Sequence, residues 1–452
     1  VETTLNPARH RALQRYEDRT PTSRALHEKA CRIVPGGVSR NTLAFEPYPF
    51  ATAEAAGAHL TDVDGNTYLD LVNNFTSLPH GHGHVPTLEA ATAELRRSSA
   101  VGTAHVLEAE YAAELRRRIP AMETLHFTTT GSEAVGLAVR VARAHTGRVR
   151  VLKFEGGFHG SHNEVTQDIA TRAPLAPGTA VPARPASAGL EPTTTVTGVY
   201  NDPASVHTAF ARWGDEIAVV VLEPFLGNAG LITAEQPFVD AIFTAARAAG
   251  ALVLVDEIQA LRARVGGAHM TWDHTPDLVT VGKIMGGGFP LAAFGGRAAA
   301  MATLTGADRV IQTGTFTATP PSLAAGRAAM DLFGADVYDE LDRRTGRLRA
   351  GLRSALADAG LPGYVSGLGS MFNLAMSAEP VTSYRALRSA DVELLADIRL
   401  ELLNRGFLIM PRGTGCLSTA VTDDDVDRFL SAVGESIRVV VATSPHSQEA
   451  SC

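Results

Sequence analysis

Lys283 stands in TVGKIMGGGFP, directly behind a short apolar stretch and just ahead of three glycines. Lysine is almost never buried without a task. Where it is buried, the ammonium loses its hydration, its pKa falls, and the neutral amine attacks carbonyl carbon. Glycines beside it permit close backbone approach and angles closed to other residues. The plain alternative is an exposed lysine at a strand end. Asp256 shifts that balance, because it closes ALVLVDE at the carboxyl end of an apolar strand, where open α/β sheets bind ligands. A carboxylate there can pair with a protonated pyridine nitrogen and keep the ring an electron sink. Its ordinary alternative is a cap on the next turn.

Thr130-Gly131-Ser132 lie in HFTTTGSEAVG, where a strand runs into a helix. Backbone N–H groups and the helix dipole make such a junction an anion cradle. A plain serine N-cap with Glu133 in the first turn is the competing reading. Phe158, with His159 beside it in FEGGFHG, follows another strand end and could stack on a planar ring or fill the core. His80, His82 and His84 alternate, but no Cys or carboxylate stands at ligand spacing, so no metal site is expected. Asp62-x-Asp64-Gly65-Asn66 has the outline of a calcium loop without its third oxygen ligand or closing Glu. A hairpin turn is expected there.

These residues need a scaffold, and the text supplies one. RVLKFE, IAVVVLEP, ALVLVDE and LVTVGK are short, β-branched apolar runs, suited to strands buried on both faces. Helical stretches such as QPFVDAIFTAARAAG separate some of them, the pattern of an α/β domain with a mainly parallel sheet. Ahead of it, residues 22–34 read as an amphipathic helix stopped by Pro35-Gly36-Gly37, and residues 57–72 as a hairpin. Residues 171–198 are rich in Pro, Ala and Thr without periodicity and read as a loop near the site mouth. Beyond Pro320 long helices lead to a second α+β unit, and residues 442–452 read as a mobile tail. The division expected is an N-terminal segment (1–70), a large domain (71–330), a C-terminal small domain (331–441) and the tail.

With 452 residues, 45% of them hydrophobic, the chain can bury more than one core. A formal charge of −8 disfavours nucleic acid, which needs a basic face. Cys31, Cys416 and Cys452 are too few and scattered for a disulfide framework and read as reduced thiols. No apolar run approaches the ~20 residues that cross a bilayer. Val1 to Arg19 lacks the apolar centre of a secretory signal, so cytoplasm is the expected compartment.

As an ordered set, PGGV, DVDGNTYLDLV, TGSEA, FEGGFHG, EP, VLVDE, GKIMGGGFPLAAFGG and TGTF resemble the class III aminotransferases of pyridoxal phosphate (PLP) fold type I. The branch is that of glutamate-1-semialdehyde aminomutase, and the likeness runs from Pro35 to Ile437. It implies a large domain with a mainly parallel, seven-stranded-type sheet between helices, plus a smaller α+β domain from the N- and C-terminal segments. Lys283 would carry PLP as a Schiff base and move the proton, Asp256 would pair with the ring nitrogen, and Thr130, Gly131 and Ser132 would hold the phosphate. Thr315, in TGTF, would reach the phosphate of a neighbouring subunit, which makes the enzyme a homodimer with shared active sites. Phe158 stands where the family usually has tyrosine, His159 belongs to the same motif, and Asn228 and Gln259 would meet the ring's hydroxyl side.

The aminomutases resemble PGGVNSPVRAF near the N-terminus, with an arginine for the substrate carboxylate. Here the segment is PGGVSRNTLAF, and Leu43 takes the arginine's place. Arg40, three residues earlier, and Arg412, in PRG, match instead the carboxylate-binding arginines of β-amino-acid (β-phenylalanine type) aminotransferases. The expected reaction passes an amino group from a β-amino acid to an oxo acid in two half-reactions. Competing readings are the aminomutase, an aminotransferase for an amine or a D-α-amino acid, and a silent scaffold. The intact Lys283, Asp256 and phosphate segment argue against the last. A nicotinamide dehydrogenase would need G-x-G-x-x-G after an early strand, whereas Gly286 to Gly288 come late and follow a lysine.

Overall fold

The computed structural model describes residues 7–166, 174–183 and 194–442. Its centre is an eight-stranded sheet in the order Thr124–Thr128, Ala292–Gly296, Leu278–Val281, Leu252–Asp256, Ile217–Leu222, Arg150–Phe154, Thr195–Gly198 and Ala180–Pro182. The five strands from Leu278–Val281 to Thr195–Gly198 pair in parallel. Ala292–Gly296 runs antiparallel to both its neighbours, and Ala180–Pro182 adds an antiparallel edge. The class is the α/β one expected, with one strand more than seven. That extra strand ends in Pro182, which an edge tolerates because one side needs no N–H donor.

Apolar runs make these strands because both faces are covered. Val219, Val221, Leu252 and Leu254 pack with Ala134, Val135, Ala138 and Val141 of helix Gly131–Thr146. Val220, Leu222, Val253 and Val255 pack the other way, with Phe238, Val239 and Ile242 of helix Gln236–Ala249. Each Val, Leu, Ile or Phe buried in this way adds about 1.5–3 kcal/mol relative to exposure. A one-residue slip would exchange the two faces.

The hairpin appears as His59–Asp62 and Thr67–Asp70, with Thr52–Ala56 added in front. Phe407–Leu408 joins this sheet parallel to Thr67–Asp70, so N- and C-terminal segments share it. Asp62 accepts from the backbone N–H groups of Asp64 and Asn66, while Asp64 accepts from Thr22 and Ser23 and so ties the turn to helix Pro21–Cys31. Helices Ala335–Asp358 and Asp423–Ala442 bury Leu348, Leu352, Phe429 and Val433 in a further core.

Residues 171–198 are not one loop. Thr195–Gly198 is a fully buried strand of the main sheet and Ala180–Pro182 its edge, while 167–173 and 184–193 lie outside the described residues. The tail expected at 442–452 also lies outside them, Ala442 excepted. Among the described residues no helix is long and apolar enough to cross a membrane.

Candidate active site

Strand topology gathers the chemistry at one edge. Asp256 ends Leu252–Asp256, Lys283 follows Leu278–Val281, Glu223 follows Ile217–Leu222, Phe158 and His159 lie just beyond Arg150–Phe154, and Gly131 opens the helix after Thr124–Thr128. All are carboxyl ends of strands pointing one way, where α/β sheets place ligands. Thr130, Gly131, Ser132, Phe158, His159, Gly160, Glu223, Asp256, Ile258, Gln259 and Lys283 line one cavity of about 210 Å³.

Lys283 holds φ +50°, a left-handed conformation that strains a residue with a side chain. A short 3₁₀ turn, Lys283–Gly286, keeps it there, and the Tyr111 hydroxyl donates to the Met285 carbonyl below. A Cβ on Gly287 would lie 2.8 Å from that of Ala329, so the glycine lets helix Pro320–Asp331 close on this turn. The Lys283 amine donates to Gln259 Oε1 at 3.1 Å. Burial brings its pKa down to about 8, against the opposing pull of Glu223 and Asp256.

Asp256 is buried and nearly saturated. Its Oδ1 accepts from the Ile258 N–H and the Thr280 hydroxyl, each at 3.1 Å, and its Oδ2 lies 3.0 Å from His159 Nδ1. Burial lowers the His159 pKa and keeps the imidazole neutral, so the proton sits on Nδ1 and is donated to the carboxylate. A carboxylate accepts about four hydrogen bonds. Three are taken within the chain, which leaves one for a donor in the cavity.

At the helix start Thr130, not Ser132, is the N-cap. Its hydroxyl accepts from the Glu133 N–H, and Glu133 reaches back to the N–H groups of Thr129 and Thr130. That capping box fixes the loop and leaves the N–H groups of the first turn for an anion. A Cβ on Gly131 would lie 2.6 Å from Ile258 Cδ1, and one on Gly160 2.6 Å from Ser132 Oγ. Only glycine at these two positions lets the walls meet at the helix start.

Glu223 was not among the expected site residues: EP stood in the sequence as a strand end and as one of the motifs of the family resemblance. Its oxygens accept from the N–H groups of Phe158 (3.0 Å) and Gly227 (3.1 Å). Burial, with Asp256 nearby, pushes its pKa up to about 8. In the cofactor-free protein the native state therefore binds a proton that the unfolded state, near 4.5, releases. This contribution is complete below pH 4.5 and disappears as pH rises toward 8. Glu223→Gln should remove that slope, so wild type loses stability relative to the variant between those values. Thermal melts of both across the range check it, and parallel profiles would contradict it.

Four residues expected at the site stand outside this cavity. Arg40 lines a separate, larger cavity, donates to Asn74 Oδ1 at 3.1 Å and lies 5.3 Å over the Phe75 ring. Arg412 is exposed and donates to the Asn228 carbonyl at 2.8 Å. That contact engages the Asn228 backbone, and neither side chain lines the Lys283 cavity. Thr315 is exposed beside Phe316, itself two-thirds exposed. His80, His82 and His84 have separate partners: Ala329 and Thr419, Asp70, and Thr87. Among the described residues no group of three or more His, Cys, Asp or Glu could hold a metal.

Residues 43–436 match the sequence model of the family "Aminotransferase class-III". The chain belongs to the class-III aminotransferases. These are PLP enzymes. A glutamate-1-semialdehyde 2,1-aminomutase from Methanothermobacter thermautotrophicus is 36% identical over 420 residues, 91% of this chain and 98% of that protein. An omega-transaminase from Sphaerobacter thermophilus superposes with a TM-score of 0.90 at 34% identity, over 93% of this chain and 98% of the other. A β-phenylalanine aminotransferase from Variovorax paradoxus gives 0.88 at 32%, over 96% and 98%. The cavity fits the family's cofactor: an amine of lowered pKa, a carboxylate with one open acceptor position, and a glycine-walled helix start.

Proposed function

We propose that this class-III enzyme transfers an amino group between a β-amino acid and an oxo acid. The observation that carries the reading is Arg40. Its described partners are a neutral amide and an aromatic face, so the guanidinium remains free to take a substrate carboxylate through two parallel N–H bonds. Leu43, on the same segment, offers no charge where the aminomutases would use one. Among the described residues, Arg412 likewise donates to a backbone carbonyl alone.

The residues divide the work. Gly131 and Ser132 would hold the phosphate, Asp256 the ring nitrogen, Phe158 a ring face, and Gln259 the hydroxyl side. PLP, when bound, supplies a ring that takes up the electron pair released at the amine-bearing carbon. Lys283 would anchor the aldehyde, and once displaced by the substrate amine its Nζ would carry the proton from one carbon to the other. A neutral Lys283 is the form able to accept that proton, which its lowered pKa favours. A second copy of the chain completes this reading: Thr315, exposed next to Phe316, would reach the neighbour's phosphate.

β-Phenylalanine, added without oxo acid, should bleach the visible absorbance of the cofactor, and 2-oxoglutarate should restore it. Arg40→Ala should cut kcat/KM for β-phenylalanine by about 10- to 100-fold, the worth of one charge-assisted hydrogen-bonded pair. Unchanged efficiency on every amino donor would end the β-amino-acid reading. The curated relatives favour a second reading, the aminomutase. Turnover of glutamate-1-semialdehyde with no added oxo acid would establish it instead.

A further inference from the structure

Arg262 is only 1% exposed, and among the described residues no other arginine is buried. It ends the short 3₁₀ turn Ala260–Arg262, which follows the segment carrying Asp256 and Gln259. Its Nη2 donates to the carbonyls of Leu78 and Leu417, at 3.3 and 3.2 Å. Its Nε and Nη1 are buried with no hydrogen-bond partner among the described residues. No described carboxylate pairs with it. Glu257, on the same segment, spends its oxygens on the N–H groups of Ala268 and His269 and on the His269 ring. A guanidinium stays charged, and burying it without a counter-charge is costly.

Its two carbonyl partners flank Lys283. A Cβ on Gly288 would lie 2.6 Å from Leu78 Cδ2, so Leu78 rests on the glycines that follow the Lys283 turn. Leu417 adjoins Cys416, whose thiol stands near enough to act on the Lys283 charge. Arg262 therefore ties both flanks to the segment that bears Asp256 and Gln259, and Gln259 accepts from the Lys283 amine. Its charge reaches that amine too. Burial is the main cause of the lowered Lys283 pKa; Glu223, Asp256 and Cys416 pull the other way, and Arg262 adds to burial. His80, kept neutral chiefly by burial, and Tyr338, whose phenol burial keeps protonated, also face Arg262. Neither offsets the guanidinium.

We propose that Arg262 is a positioning residue for amino transfer: an unneutralised guanidinium that locks the Leu78 and Leu417 carbonyls around the Lys283 turn and holds positive potential behind its amine. Such a potential disfavours the ammonium and raises the share of the neutral amine that the chemistry uses. Arg262 does not line the Lys283 cavity, so it acts through the lysine. The inference holds whichever amino donor the enzyme takes.

Arg262→Met removes the charge with little change of length, an exchange often neutral or stabilising at a buried site. Arg262→Gln keeps N–H donors on a shorter, neutral side chain. Incorporation of PLP into the cofactor-free enzyme, followed by its absorbance, has a pH midpoint set by the Lys283 amine. That midpoint should rise by about half a unit or more in both variants. Below it, incorporation should slow by about threefold. Once loaded, the variants should show their largest kcat deficit at neutral pH and approach wild type as pH passes the shifted midpoint. A merely structural clamp would lower thermal stability and leave the midpoint alone. A midpoint equal to wild type, a downward shift, or a kcat deficit constant across pH would each overturn the proposal. If the methionine variant fails to fold, the glutamine variant decides by the same readings.

Discussion

Lys283→Ala is expected to lower turnover by about 10³-fold or more, with the fold intact. Two functions disappear together. The protein loses the amine that anchors the aldehyde, and it loses the proton carrier, alone worth about 10² to 10⁴-fold. Lys283→Arg is the sharper variant. It keeps a cation of similar reach but cannot deprotonate, so it should fail equally. Borohydride reduction followed by peptide mass analysis should find the cofactor on Lys283 in wild type and on no lysine in either variant. Reconstitution of cofactor-free wild type should accelerate as pH rises through about 8, where the buried amine loses its proton. The strained φ of +50° makes the substitutions mildly destabilising at most, since alanine and arginine meet the same backbone constraint as lysine. Turnover within tenfold of wild type in Lys283→Ala would remove this residue from the chemistry.

Much of this site was legible because strand ends are legible. VLVDE and VTVGK announce buried strands by their β-branched runs, and the residue after such a run must stand at the sheet edge. That alone brings Asp256, Lys283, Gly131 and Phe158 into one cavity. Glu223 follows the same rule, yet its importance depends on neighbours brought in by the fold. Without the Phe158 and Gly227 N–H groups and the nearby Asp256, an acid before proline is only a strand terminus.

Other elements had no local signal. Ala292–Gly296 carries alanines and glycines, poor strand formers. It pairs because a Cβ at Gly295 would come within 2.5 Å of the Thr124 carbonyl oxygen, and one at Gly296 within 2.1 Å of the Asp277 carbonyl oxygen. Helix Pro7–Arg19 reads as a polar segment; Ala12 and Tyr16 hold it against Leu400 and Leu403, nearly four hundred residues along. Thr195–Gly198 sits at the end of a Pro- and Ala-rich stretch whose composition hid a buried strand.

Asp256→Asn should cost about 10²-fold or more in kcat, the kinetic equivalent of about 3 kcal/mol, because it removes the charge opposite a ring nitrogen that must stay protonated. The amide preserves shape and still accepts at its oxygen, so binding of PLP should weaken far less than turnover falls. His159 sharpens the test. Its Nδ1–H now donates to Oδ2, and an amide NH₂ at that position would set donor against donor. The asparagine must then flip and surrender the hydrogen bonds from Ile258 and Thr280, or else His159 must change tautomer. Asp256→Glu keeps the charge but cannot hold all three partners, so it separates charge from position. If charge governs, the glutamate variant retains more activity than asparagine; if the hydrogen-bonded position governs, both fall alike. His159→Asn leaves the carboxylate in place and removes only its third partner. It should move kcat by less than Asp256→Asn, because His159 acts through the aspartate and never meets the reacting atoms.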